Sequence, residues 1–138
     1  MAIRRGIILG RKVCLDSTLL SAWTHQDPDA RWSCPTPKGR IFGYKIHTLL
    51  DQASRLPIFF LLSPANEHDL PWAYPLLAMA KYLFNLPIRI VWADAAYWSL
   101  RFIRFVVNLG AQPVIPFNRK RQTLDRVHWL VLKGLHYE

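Results

Sequence analysis

Residues 88–97, Ile-Arg-Ile-Val-Trp-Ala-Asp-Ala-Ala-Tyr, are the stretch of this sequence that decides the fold. Apart from Arg89, the run from residue 88 to residue 93 is apolar without alternation, which predicts a central strand covered on both faces. Asp94 ends this strand. An ionised carboxylate is costly to place in an apolar strand unless a partner compensates its charge. The stretch therefore predicts a central strand that ends in an acid with a partner still to be found.

A second aspartate has the same kind of setting near the start of the chain. Asp16 lies in Val-Cys-Leu-Asp-Ser-Thr, residues 13–18, within a predicted strand over 13–20. A divalent cation held by Asp16 and Asp94 would compensate both charges, and strand-borne acids that share magnesium serve phosphoryl-transfer enzymes that act on nucleic acid. The alternative is that each aspartate ends its strand and caps the segment that follows.

The rest of the chain predicts an α/β domain in which three antiparallel strands are followed by helix, strand, helix and strand. Residues 24–40 are rich in turn signals and predict a loop. Alternation over 42–50 and an apolar run over 56–62 predict an antiparallel hairpin. Apolar spacing predicts one helix after an N-cap at Asp69 and a second helix over 98–109. Residues 111–117 contain two prolines and predict an edge strand.

The charge balance favours a polyanionic partner. The 138 residues include 18 Lys and Arg against 9 Asp and Glu, a net charge of +9. Such an excess suits nucleic acid, although a solvated surface or a membrane surface would also account for it. No apolar run reaches the roughly 18 residues that span a bilayer. Two cysteines fit neither a disulfide scaffold nor a four-ligand zinc site, which favours a reduced cytosolic protein.

Four short motifs occur in a fixed order along the chain. They are LDST at 15–18, GYKIH at 43–47, SPANEHD at 63–69 and ADAAY at 93–97. No single motif is specific, but the ordered set resembles the catalytic domain of bacterial insertion-sequence transposases of the DDE class. The resemblance covers about residues 12–118 and implies a ribonuclease-H-like mixed sheet.

The resemblance also implies a chemistry. Asp16 would be the first catalytic carboxylate and Asp94 the second, together binding two magnesium or manganese ions at the scissile phosphate. The implied activity is strand cleavage at insertion-sequence ends and strand transfer into target DNA. The implied partners are double-stranded transposon and target DNA and a second transposase chain. The implied location is the bacterial cytoplasm, in association with the nucleoid.

The sequence departs from the family pattern at two places. The third acid of such enzymes, a Glu on a later helix, has no evident counterpart, and Glu138 is the candidate by position alone. The N-terminal DNA-binding region of these transposases is also missing. We therefore expect a single partial catalytic domain over 1–138 that is incomplete or inactive as an isolated chain, with its core at about 12–118 and an incomplete tail over 119–138. The alternatives are a catalytically inactive DNA-binding or multimerising remnant, and a metal-dependent nuclease on the same fold.

Several other side chains are candidates for contact with DNA or metal. Lys45 and the cluster Arg119, Lys120 and Arg121 are candidates for phosphate contacts, with ordinary solvated positions as the alternative. His47 alternates with apolar residues of its strand, so we expect it to face solvent or a groove. In SPANEHD, His68 and Asp69 are candidates for metal ligands or for helix caps. In ADAAY and the residue after it, Tyr97 and Trp98 are candidates for stacking on a flipped base or for the core.

Overall fold

The computed structural model describes residues 2–117, which form one mixed sheet with helices packed on one of its faces. The strands are β1 (Lys12–Ser21), β2 (Arg31–Trp32), β3 (Phe42–Asp51), β4 (Pro57–Pro64), β5 (Ile90–Trp92) and β6 (Gln112–Val114). The helices are α1 (Leu70–Ala78) and α2 (Leu100–Asn108). The predicted order of three antiparallel strands, helix, strand, helix and strand is present.

The antiparallel half of the sheet is built on β3. Strand β1 pairs with one edge of β3, from Val13 opposite Asp51 to Ser21 opposite Gly43. Strand β4 pairs with the other edge, also antiparallel, and the short β2 extends that edge. The strand β2 was missed by the sequence prediction of a loop over 24–40, because two residues are too short to show a periodic pattern.

The parallel half begins at β5, which returns beside β1 after the crossover through α1. The register pairs Lys12 with Ile90 and Cys14 with Trp92. Strand β6 lies beyond β5 at the edge of the sheet, as its prolines predicted. Observed β5 is shorter than the predicted strand, and one face of it is open, since the Trp92 side chain is 39% exposed.

The core lies between the sheet and the two helices. Its strand side comes from β1, β3 and β5, where alternate residues point toward the helices. Its helix side comes from α1 and α2. The fully buried members include Val13, Leu49, Val91, Leu76, Leu77, Phe102 and Val106. Burial of side chains of this size contributes about 1.5–3 kcal/mol each, so this layer fixes the orientation of the strands that carry both aspartates.

The face of β3 that packs under the helices is opposite to the one expected from sequence. His47 is 1% exposed and Asp51 is also buried, so the expectation that His47 faces solvent is wrong. Tyr44 and Ile46 lie on the other face and are half-buried. The apolar alternation of β3 therefore belongs to the open face, and the buried face accepts polar residues because each has a partner.

The beginning of α1 also differs from expectation. Asp69 precedes the helix, but its backbone is already helical (φ −73°, ψ −37°) and its side chain makes no capping hydrogen bond. Its carboxylate forms an ion pair with Lys45 instead. The helix continues beyond Ala78 into a π-helical turn over Met79–Leu83. No helix within residues 2–117 is both long enough and apolar enough to cross a membrane.

Candidate active site

Asp16 lies in the middle of β1, on the sheet face that the helices do not cover. Val13 and Leu15 point into the core, and Asp16 takes the opposite direction and is exposed. Its Oδ1 accepts a hydrogen bond from the backbone N–H of Ser17 at 2.8 Å. Within the described residues its Oδ2 makes no hydrogen bond, so this oxygen is available to a ligand.

Asp94 follows the end of β5 and is likewise exposed. Its backbone remains extended (φ −79°, ψ 178°), and its Oδ1 accepts a hydrogen bond from the backbone N–H of Ala96 at 2.8 Å. This bond caps the 3₁₀ turn Ala95–Tyr97, so the capping alternative for Asp94 is also real. A cap uses one carboxylate oxygen, and Oδ2 of Asp94 makes no hydrogen bond within residues 2–117.

The register of β1 and β5 relates the two aspartates directly. Asp16 and Asp94 each follow the Cys14–Trp92 pair by two residues on neighbouring parallel strands. Because side chains alternate between faces with a period of two, both carboxylates project from the open face at the same level of the sheet. The fold thus brings together two acids that are 78 residues apart in sequence.

The surroundings of a buried tyrosine also indicate that these carboxylates lie in the same region. The Tyr97 side chain is 3% exposed, and burial is the main reason that the pKa of its phenol is raised. The negative charges of Asp69, Asp94 and Asp16 raise this pKa further, whereas a hydrogen bond with the Ser17 side chain acts in the opposite direction. One hydroxyl therefore lies within electrostatic range of three carboxylates and remains protonated at neutral pH.

The Ser17–Tyr97 hydrogen bond joins the two segments that carry the aspartates. Ser17 directly follows Asp16, and Tyr97 ends the turn that Asp94 begins. The sequence interpretation of Tyr97 and Trp98 as stacking platforms does not fit this structure, because both rings are buried and closed to a base. Trp98 packs in the core, the alternative that its position in the helical stripe favoured. We call this contact between Ser17 and Tyr97 the brace; sequence reasoning missed it.

A second polar network lies on the helix side of β3, next to this brace. Lys45 forms an ion pair with Asp69, with 3.1 Å between Nζ and Oδ1, and donates a hydrogen bond to the Glu67 carbonyl at 2.7 Å. These bonds join β3 to the segment that leads into α1. They also occupy the ammonium group of Lys45, which was a candidate from sequence for a contact with a DNA phosphate, with an ordinary solvated position as the alternative.

His47 occupies the centre of this network. Its ring stacks on Trp72 at 5.3 Å between centroids, and its Nε2 lies 2.8 Å from the Ser63 hydroxyl. Burial lowers the pKa of His47, an effect that the Asp69 carboxylate partly offsets. The ring is therefore neutral near pH 7. Its Nδ1 lies 3.7 Å from Oδ1 of Asp69 and makes no hydrogen bond.

The grouping of Ser63, His47 and Asp69 has the composition of a hydrolase triad but not its accessibility. Ser63 is buried, and its hydroxyl donates a hydrogen bond to the Pro64 carbonyl at 3.1 Å. That hydroxyl then accepts from Nε2 of His47, so His47 acts as a donor and not as a base toward it. The network stabilises the end of the sheet and offers no exposed nucleophile.

The donor set fits a hard divalent cation in part. Carboxylate oxygens are the ligands that Mg²⁺ and Mn²⁺ prefer, and Mg²⁺ commonly takes one or two carboxylates together with waters and substrate phosphates. Asp16 and Asp94 offer two such groups. Residues 2–117 contain no cluster of three His, Cys, Asp or Glu side chains that could hold a metal ion. The candidate third acid Glu138 and the cluster Arg119–Arg121 lie outside the described residues.

Comparison with known proteins gives a family and a fold. A family model described as "Transposase DDE domain" matches residues 9–134. A chain of the simian T-cell lymphotropic virus intasome, solved with PP2A regulatory subunit B56 gamma, aligns at 18% identity with a TM-score of 0.50. That alignment covers 96% of the present chain and 41% of the viral one. This likeness confirms the predicted ribonuclease-H-like fold.

A second solved structure aligns over less of its length. It is the piggyBac transposase in a synaptic complex with hairpin DNA, with 16% identity and a TM-score of 0.46. The alignment covers 80% of the present chain and 24% of that transposase. The chain thus spans less than half of the length of either solved protein. No curated protein sequence matches it.

Proposed function

The chain belongs to the transposase DDE domain family, and we propose that it carries two of the metal-binding carboxylates for DNA strand cleavage and strand transfer. The proposed ligands are Asp16 and Asp94, and the proposed substrates are the ends of an insertion sequence and a target duplex. The family assignment supports DNA transposition in general. We assign metal binding in that activity to the two aspartates.

One observation carries the proposal: Asp16 and Asp94 are both exposed, and each follows the paired residues Cys14 and Trp92 by two positions on neighbouring parallel segments. Two like charges held this close repel each other, and a cation between them would relieve the repulsion. Their exposure on the open face of the sheet gives a phosphate access to the same place. Their equivalent positions on β1 and β5 support a shared ion.

The chain's own residues would hold the reacting groups in place. Asp16 and Asp94 would each contribute an Oδ2 atom to metal binding, and their Oδ1 atoms stay fixed by backbone N–H donors. When bound, the divalent ions would promote ionisation of the attacking water or DNA 3′-hydroxyl and stabilise the departing oxygen. Ser17 and Tyr97 would hold the spacing between the two carboxylates. Such bracing matters because a displacement of a catalytic group by 1 Å can lower the reaction rate by about 100-fold.

The proposal is tested by Mn²⁺-dependent nicking of supercoiled plasmid and by joining of an oligonucleotide with a free 3′-hydroxyl. We expect Asp16→Asn and Asp94→Asn each to abolish both reactions while the fold is retained. Asp29→Asn is the matched control, because Asp29 is an exposed carboxylate in the segment between β1 and β2. Nicking that survives Asp94→Asn would contradict the proposal, and nicking without joining would indicate a nuclease on the same fold.

One observation favours a second candidate, a DNA-binding remnant without catalysis. The described residues lack a third acid that could complete a metal cluster with Asp16 and Asp94. This candidate predicts salt-sensitive DNA binding that is unchanged by Asp16→Asn or Asp94→Asn, together with no Mn²⁺-dependent nicking. Association with the nucleoid is expected under both candidates, because both bind DNA, and a second transposase chain is the proposed protein partner under both.

A further inference from the structure

The end of the sheet opposite to the two aspartates carries a cluster of exposed basic residues. Lys12 begins β1 and Arg11 precedes it, Arg89 precedes β5, and Arg55 lies in the turn between β3 and β4. All four residues are exposed. We call these four residues the basic end. None of these four residues lies in the four sequence motifs, and none takes part in the proposed chemistry.

Backbone hydrogen bonds place the three segments that carry these residues side by side. The Arg11 carbonyl accepts from the N–H groups of Arg89 and Ile90, at 2.8 and 3.1 Å. The Lys12 carbonyl accepts from the N–H of Gln52 at 2.9 Å, which ties β1 to the turn that contains Arg55. Since Lys12 pairs with Ile90, the register continues to Arg11 beside Arg89 on the neighbouring strand. The cluster is thus part of the sheet framework.

Negative charge is scarce around this cluster. Residues 2–12, 52–56 and 86–90 include six Arg or Lys, with Arg4 and Arg5 as the other two, and no Asp or Glu. The nearby Asp51 is buried and accepts hydrogen bonds from the Gly10 N–H and from the N–H and hydroxyl of Ser54. Within residues 2–117, the carboxylate that forms an ion pair with a basic side chain is Asp69, which pairs with Lys45 at the other end of the sheet.

This arrangement is unfavourable for the isolated domain. Arg11 and Arg89 are like charges at adjacent positions of neighbouring strands, where unlike charges or neutral residues would be more stable. Arg55 adopts a positive φ of 60°, a conformation in which glycine or asparagine is the ordinary choice. Repulsion between unpaired cations is relieved when a polyanion neutralises them.

We propose that the basic end is a binding surface for the phosphate backbone of double-stranded DNA, separate from the aspartate site. The proposal rests on the proposed function only in taking DNA as the polyanion. Four residues of extended strand separate Lys12 from Asp16, about 13 Å at ~3.3 Å per residue. That separation is shorter than the ~34 Å of one turn of B-form DNA. A duplex anchored at the basic end can therefore extend toward the aspartates.

Salt-dependent DNA binding tests this surface without reference to catalysis. The affinity of the chain for a fluorescent 30-base-pair duplex is measured in EDTA over a series of salt concentrations. For Arg11→Gln/Arg89→Gln we expect weaker binding and a slope of log K against log salt that is smaller by about 1.8, since each lost phosphate contact removes about 0.9. The matched control is Arg101→Gln/Arg104→Gln, which removes the same charge from exposed positions of α2.

Each outcome decides the proposal. An equal slope change in both double variants would show a general charge effect and overturn it, as would no change in either, or no DNA binding by the parent chain. A loss of binding to anionic lipid vesicles without a loss of DNA binding would assign the surface to membrane and also overturn it. Because EDTA removes divalent metal, the slope does not depend on metal binding by Asp16 and Asp94. A failure of the proposed metal site therefore leaves this test intact.

Discussion

The two ends of β5, together with the residues of β1 beside them, carry opposite charges that are held in opposite ways. At one end, Asp16 lies beside Asp94, braced by a buried hydrogen bond between Ser17 and Tyr97. At the other end, Arg11 and Lys12 are exposed among further cations with no carboxylate partner in the described part of the chain. The first end has the fixed geometry that chemistry requires. The second has the unpaired charge that gives affinity for a polyanion.

This difference separates two properties that a DNA-processing domain needs. Bond-breaking depends on the positions of a few oxygen atoms to within a fraction of an ångström, so those atoms are tied to buried groups. Attraction to phosphate depends mainly on the number of cations, and long exposed side chains serve it without fixed geometry. We therefore expect substitutions at the aspartate end to change metal binding and stability, and substitutions at the basic end to change DNA affinity alone.

The largest effect is expected at the carboxylates themselves. Asp16→Asn/Asp94→Asn should lower the affinity for Mn²⁺ by more than about 100-fold, because loss of ligands exceeds the 10–100-fold cost of losing the groups that orient ligands. Titration of Mn²⁺ followed by electron paramagnetic resonance measures this change. Arg11→Gln/Arg89→Gln should leave the affinity within a factor of two or so, since it removes no oxygen ligand. Comparable losses in both variants would remove the distinction between the ends.

A pH effect on stability is expected next, from His47. Burial lowers the pKa of His47 in the folded protein, so the unfolded chain binds this proton first as the pH falls. The free energy of unfolding should therefore decrease below pH 6.5 or so, by up to about 1.4 kcal/mol per pH unit, until the folded pKa is passed. The contribution is fully present above the pKa of the unfolded histidine.

Urea unfolding at pH 7.0, 6.0 and 5.0 measures this dependence. The variant His47→Gln should lose most of it, and the variant His68→Gln should keep it, because His68 is exposed. The charged neighbours of His47 are Asp69, Glu67 and Lys45. If the unfolding free energy of His47→Gln still depended on pH in the same way, the dependence would come from one of these neighbours.

The brace should have a smaller effect on stability. Tyr97→Phe removes one hydroxyl from a buried site and leaves Ser17 without this partner, which should cost about 1 kcal/mol of unfolding free energy. It should also lower the affinity for Mn²⁺ by about tenfold, as expected for a group that orients a ligand. Tyr74→Phe is the matched control, a half-buried tyrosine on α1. Equal effects of the two substitutions on Mn²⁺ binding would refute a positioning role for Tyr97.

The smallest effect on stability is expected at the basic end. Arg11→Gln/Arg89→Gln should change the unfolding free energy by less than about 0.5 kcal/mol, because surface charges contribute little and this pair is repulsive. A small gain in stability at low salt would confirm the repulsion. A loss of more than about 2 kcal/mol would show that these arginines are structural.

The strands and helices could be predicted from sequence wherever the spacing of apolar residues follows the period of the element itself. Strand β1, the β3–β4 hairpin and both helices gave clear periodicities, and the prolines around β6 indicated an edge. The orientation of β3 could not be obtained in this way. Its buried face carries His47 and Asp51, which are stabilised by partners from other segments, Ser63 and Ser54. A hydrophobicity pattern contains no information about such partners.

Some residues of the candidate site could likewise be identified from sequence, and others could not. Asp16 and Asp94 stood out because each is an acid in an apolar strand, and the register places them as neighbours. Tyr97 lies in the motif ADAAY but gave no signal of its role, because its bond to Ser17 depends on how β1 and β5 pair. For Lys45 the sequence was misleading. Its sequence context suggested a cation free to contact phosphate, whereas in the fold its ammonium group forms an ion pair with Asp69.

The central claim is that Asp16 and Asp94 bind a divalent cation together. It is tested most directly by anomalous diffraction from crystals of the chain grown with Mn²⁺. The account predicts an anomalous peak within about 2.0–2.3 Å of one oxygen of each carboxylate, as expected for a small oxygen-bound divalent ion. A peak bound by only one of the two aspartates, or no peak at this end of the sheet at saturating Mn²⁺, would contradict it.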